Sequence, residues 1–259
     1  MNQTTKLILG AVIVVAVIVV GYSMSKGPNK PVSTEPFKIG VITPLTGDAA
    51  VLGEFLKNTT DLAVEQINLA GGVNGQNLEV VYEDGKCSGA PAVSAVQKLL
   101  LDDQIKIIDA SGCSSEVLAI LPITEPKGIF VFSGAATSPD LTNKSPLFAR
   151  TVPSDASQGR ALALAAIARN WKKVAILQES TDYALGIFKA FADHYPASAG
   201  TIVKEEFPST VTDFRSPLAK LQAGKPDALF IIPQAPGSAE RILKQLSDLN
   251  WSVPLLTGD

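Results

Sequence analysis

The chain has 259 residues, 46% hydrophobic and 18% charged, a balance that suits a globular α/β protein and excludes a disordered one. Its formal net charge is −3 and the basic residues are scattered, so nothing in the sequence marks a nucleic-acid partner. A single histidine, His194, rules out a multi-histidine metal site and a second imidazole base.

Lys6 precedes the unbroken apolar run Leu7 to Tyr22, and polar, proline-containing sequence follows from Ser23 to Pro36. At about 16 residues the run is long for a signal-peptide core and slightly short for a comfortable bilayer span. No small-x-small cleavage site follows it and no cysteine stands there to take a lipid. Residues 7–22 are therefore expected to remain as a membrane anchor, with the rest extracytoplasmic; a cleaved signal peptide is the alternative. In that compartment Cys87 and Cys113 are able to pair, closing a loop of roughly 27 residues.

From Phe37 onward, short β-branched runs alternate with longer stretches of helical periodicity, the pattern of βαβ units and parallel sheets. Phe37 to Thr43 reads as a strand, Pro44 to Gly53 as a loop, and Glu54 to Ala70 as a helix with Phe55, Leu62, Ala63, Ile67 and Ala70 on its apolar stripe. Strand Leu78 to Tyr82, helix Ala90 to Leu101 and strand Lys106 to Asp109 follow. A helix from near Ser115 to before Pro126 then leads to strand Ile129 to Ser133. Arg150 to Ser154 has no periodicity and reads as a crossing between lobes. Beyond it come helix Gln158 to Asn170, strand Lys173 to Gln178, helix Tyr183 to His194 and strand Thr201 to Phe207. Helix Phe214 to Ala223, strand Ala228 to Pro233, helix Ser238 to Leu249 and strand Pro254 to Thr257 complete the series.

The expected organisation is an anchor and linker over 1–36, a first lobe over 37–153 and a second over 154–259. Each lobe is expected to be a doubly wound parallel sheet with its working loops at the carboxyl ends of the strands. The sequence stops just after a strand, which reads as a second lobe lacking its C-terminal part. The strand-end loops are rich in Gly, Ser and Thr, residues that bring backbone N–H groups and hydroxyls close to a ligand. Ser114 or Ser115 is placed to cap the next helix, whose N-terminus favours an anion.

Several segments together resemble the leucine/isoleucine/valine-binding proteins of ABC importers: Ile39 to Gly47, the turn "NLAGGVNG" at Asn68 to Gly75, "YEDGKC", "GCSS" and "SGAATSPDLT". The resemblance runs from Phe37 to the last residue. It implies a two-lobed Venus-flytrap fold that traps a small polar molecule such as an amino acid, with an ABC permease as partner and no cofactor. It also implies a Cys87 to Cys113 disulfide. Ser114 matches the serine that holds the ligand carboxylate, and Ala135, Ala136 and Thr137 match the segment that holds carboxylate and amino group. Tyr183 matches the second-lobe tyrosine, and Asp259 an acidic residue facing the ligand ammonium. Leu52 and Ala235, the latter beside Gln234, replace two tyrosines of the branched-chain binders, so the side-chain pocket is expected to differ. The candidate ligand-binding set is thus Leu52, Ser114, Ser115, Ala135, Ala136, Thr137, Tyr183, Gln234 and Asp259. Glu116 reads as a surface carboxylate favoured by the helix dipole.

No nucleophile elbow, dinucleotide fingerprint, P-loop or metal-ligand cluster is present, which argues against an enzyme. The alternative reading is a membrane-anchored, ligand-sensing ectodomain of a receptor or regulator.

Overall fold

The structure is a computed structural model that describes residues 35–258; the expected anchor at 7–22 and Asp259 lie outside them. Among the described residues no helix is long and apolar enough to cross a membrane.

The first half runs β1 (Phe37–Thr43), α1 (Ala50–Leu69), β2 (Leu78–Asp84), α2 (Gly89–Leu99), β3 (Ile107–Asp109), α3 (Ser114–Thr124), β4 (Phe130–Ser133) and β5 (Phe148–Arg150). The second runs α4 (Asp155–Ala168), β6 (Lys173–Glu179), α5 (Asp182–His194), β7 (Thr201–Phe207), α6 (Arg215–Ala223), β8 (Ala228–Ile232), α7 (Pro236–Asp248) and β9 (Leu255–Thr257). Their strands form two sheets, in the orders β2-β1-β3-β4-β5 and β7-β6-β8-β9. Every pairing within these sheets is parallel. The layers around the two sheets are termed lobe one and lobe two below.

Burial follows from this topology. A parallel sheet covered by helices needs strands that are apolar on both faces, and β6 is buried from Val174 to Glu179 and β8 throughout. On one face Val174, Ile176 and Phe230 pack on Phe191, while on the other Leu177, Leu229 and Ile231 pack on Phe214 and Leu218. In lobe one Ile42, Ile108 and Val131 pack on Val96, Leu99, Val117 and Ile120.

Two readings of the sequence need correction. Arg150 is the last residue of β5, a three-residue edge strand paired to β4, so the crossing between lobes begins only at Thr151. Such a strand is too short to show alternation. The second concerns α1, which begins at Ala50 and buries only Gly53, pressed so closely on Pro44 that a Cβ would overlap its carbonyl. Its predicted stripe does not face the core: Phe55 and Leu62 are exposed.

Candidate functional site

In an open parallel sheet, a crevice forms where successive crossovers leave in opposite directions, outside the carboxyl ends of the strands. Lobe one switches at β1, which has β2 on one side and β3 on the other, and lobe two switches at β6, between β7 and β8. The loops after β1, β3, β6 and β8 should therefore meet. They do so around an inner cleft of about 380 Å³, lined by Leu52, Gly112, Cys113, Ser114, Gly134, Ala135, Thr137 and Val152 from lobe one and the crossing, and by Tyr183, Gln234 and Pro236 from lobe two. A wider crevice of about 740 Å³ adjoins it, between residues 47–49, 86–89 and Ser115 on one side and residues 179–182 and 209–212 on the other. The lobes touch there: the Asp182 N–H donates to Ser115 Oγ at 3.3 Å, and Arg241 pairs with Asp48 at 3.4 Å.

None of the described residues lining the inner cleft carries a formal charge. Three helices, α3, α5 and α7, begin at its wall with Ser114, Tyr183 and Pro236 in their first turns. First-turn N–H groups have no intrahelical acceptor and carry the positive end of the helix dipole, so the cleft is suited to an anionic group although it lacks a cationic side chain.

A buried carboxylate fixes the start of α3. Cys87 and Cys113 form a disulfide joining the loops after β2 and β3. Glu116 is completely buried and accepts from the backbone N–H of both, at 3.0 Å from Cys87 and 2.8 Å from Cys113. Glycine makes this possible, because a Cβ on Gly85 or Gly112 would overlap a Glu116 carboxyl oxygen. Burial pushes the Glu116 carboxyl up to about 7 against the pull of the two N–H groups. Asp109, at the end of β3, is likewise raised by burial to about 6, held down in part by the Ser111 hydroxyl. Lobe two repeats the device: buried Glu179, at the end of β6, accepts from the Gln234 N–H at 2.6 Å and from that of Ala235, and burial raises its carboxyl.

A model of the periplasmic binding protein family matches residues 36–258. The chain belongs to that family. Among its relatives, the leucine-, isoleucine-, valine-, threonine- and alanine-binding protein of Pseudomonas aeruginosa is 34% identical over 60% of this chain and 42% of its own length. The Leu/Ile/Val-binding protein of Escherichia coli K12 is 28% identical over 76% and 54%. Of solved structures, a leucine-binding protein from Thermotoga maritima superposes with a TM-score of 0.78 at 26% identity, covering 86% of this chain and 63% of that one. The branched-chain amino acid transporter substrate-binding protein LivJ of Streptococcus pneumoniae, in complex with isoleucine, gives 0.77 at 28% over 87% and 64%. The chain thus spans about half to two thirds of the length of these proteins, between 42% and 64%.

In this periplasmic binding protein Leu52, Ser114, Ala135, Thr137, Tyr183 and Gln234 come together around the inner cleft, and Ser115 lines the adjoining crevice. Ala136 is fully buried, with its N–H given to Ser133 Oγ and its carbonyl held by Arg150. Asp259 lies outside the described residues. Two expectations are corrected. Neither serine caps α3: Cys113 is the capping residue, Ser114 Oγ accepts from the Ser138 N–H and Ser115 Oγ from that of Asp182. Glu116 is an interior brace, not a surface group. The Thr137 hydroxyl, in the segment matched to the one that holds carboxylate and amino group, donates to buried Asp155 at 2.7 Å. Sequence reasoning missed Val152, Pro236 and Glu179; for Glu116 the signal was there, a carboxylate three residues beyond the helix cap.

Among the described residues no group of three or more His, Cys, Asp or Glu is arranged to hold a metal. His194 is on α5 with its Nδ1 against the Ala190 carbonyl, and Cys113 is in the disulfide.

Proposed function

We propose that this chain is the solute-binding part of an ABC importer, acting outside the cytoplasm, and that it holds a small carboxylate-bearing solute such as an amino acid between its lobes. The observation that carries the reading is the uncharged inner cleft at two facing switch points, where three helix N-termini converge. Its relatives are named for binding amino acids, and its volume lies at the lower end of the range for small-molecule sites. Solute binding without chemistry fits a cleft whose only thiol-derived group is a disulfide and whose serine and threonine hydroxyls bond to protein partners.

Ser115→Asp tests it in the full-length protein. The new carboxylate suits a helix first turn and keeps an acceptor for the Asp182 N–H, so folding should be preserved. It places a negative charge beside the proposed carboxylate site, and amino-acid affinity measured by calorimetry should fall about tenfold or more, roughly 1.4 kcal/mol. An unchanged affinity would remove the α3 terminus from the site.

A further inference from the structure

We infer that Gln234 reads a hydrogen-bonding group on the solute, so that the site prefers a hydroxyl- or carboxamide-bearing side chain to its apolar isostere. The inference rests on the solute-binding reading and adds the class of solute. It starts from the inventory of polar side chains around the inner cleft. Ser114 Oγ is engaged by the Ser138 N–H and the Thr137 hydroxyl by Asp155. Leu52, Val152, Ala135 and Pro236 are apolar, Tyr183 brings a phenol from lobe two, and Gln234 is the one side-chain amide among the described lining residues. Its Oε1 is closed off from solvent and has no hydrogen-bond partner.

A carboxamide oxygen sealed without a partner is costly, and turning the amide toward the cleft, where a solute can pair with it, relieves that cost. The backbone here is not free to relieve the problem. Glu179, itself buried, grips the Gln234 N–H at 2.6 Å, and Pro236 begins α7 two residues later. Only the side chain can turn. The terminal torsion of glutamine is broad, and a half-turn exchanges Oε1 and Nε2, so the residue can offer the cleft an acceptor or a donor. A solute hydroxyl or carboxamide meets either. A methyl group meets neither, and it leaves the amide unpaired once water has gone.

Isosteric pairs separate hydrogen bonding from shape. Threonine against valine, and asparagine against leucine, differ little in shape and much in hydrogen bonding. Calorimetric titration of the full-length protein should show the polar member of at least one pair binding about tenfold or more tightly. Gln234→Met and Gln234→Leu, both of which keep the backbone bond to Glu179, should reduce that ratio to about threefold or less, with Tm measured alongside to establish that at least one of them is folded. A wild type that favours the apolar members, or a ratio unchanged in a folded variant, overturns the inference. If valine or leucine binds at least as tightly as its polar isostere and Ser115→Asp weakens it, the solute-binding reading stands while this inference falls. If no member of either pair binds, both fall.

Discussion

Replacing Glu116 by glutamine should flatten the dependence of stability on pH. In the folded chain its carboxyl titrates near 7, against an ordinary value of 4.5, because burial penalises the charged form. Between those values the folded chain keeps a proton that the unfolded chain has released, so stability declines as pH rises and the loss is complete above the folded value. At about 1.36 kcal/mol per unit, the part of the shift crossed between pH 5 and 8 is worth about 2 to 3 kcal/mol, or about 5 to 10 °C in Tm for a chain of this size. Asp109, raised to about 6, adds to the decline in the same direction. Asp61, Asp84 and Asp102 are held below their ordinary range, so their stabilisation is lost only at pH values below this window. The assay is thermal unfolding of both proteins at unit steps from pH 5 to pH 8. The variant should melt lower at pH 5, since its amide must turn Nε2 toward the N–H of Cys87 or Cys113. Its decline to pH 8 should be shallower than that of the wild type by the amount above. Two parallel profiles would refute the assignment of the titration to Glu116.

Reduction of the Cys87–Cys113 bridge, whose sequence separation is 26, should lower stability by about 3 to 4 kcal/mol on the chain-entropy model, or about 6 to 15 °C in Tm; thiol titration of the unfolded, unreduced protein should find no free cysteine. An undiminished Tm with two free thiols would mean that the bridge does not form. Gly85→Ala and Gly112→Ala should each cost about 2 to 4 kcal/mol, since the added methyl collides with the Glu116 carboxyl, whereas Gly237→Ala, which meets only the tip of Arg241 at 3.6 Å, should be near neutral. Equal melting temperatures for all three would show the packing around Glu116 to be wrong.

How legible the molecule is in its sequence depends on how local each cause is. The strands Phe37–Thr43 and Thr201–Phe207 stand where alternation and β-branching put them, to the residue. The loops at the switch points are legible too, because parallel topology alone sends ligand-facing segments there. What escaped is set by contacts between distant residues. Nothing around Glu116 in the sequence shows that Gly85, 31 positions earlier, leaves the space that buries it. Glu179 reads as the end of a strand, and only the arrival of the loop after β8 turns it into a brace for Gln234. The stripe on α1 misled for the same reason: period predicts which residues share a face, not what lies opposite that face.

Thr137 shows why this matters for binding. Its carbonyl accepts from the Asp155 N–H at 3.0 Å and its hydroxyl donates to the Asp155 carboxylate, so a cleft residue of lobe one is tied twice to the first residue of α4, just past the crossing. With its proton given to Asp155, the hydroxyl would meet the proposed solute as an acceptor, complementary to an ammonium group, with donors for a carboxylate coming from the helix N-termini. On the proposed reading, a zwitterion would be held by the ends of α3, α5 and α7 and by Thr137, groups that belong to both lobes. On that reading, a solute bonded to groups of both lobes would favour an arrangement that keeps those groups together over one that separates them, by the difference in its affinity for the two.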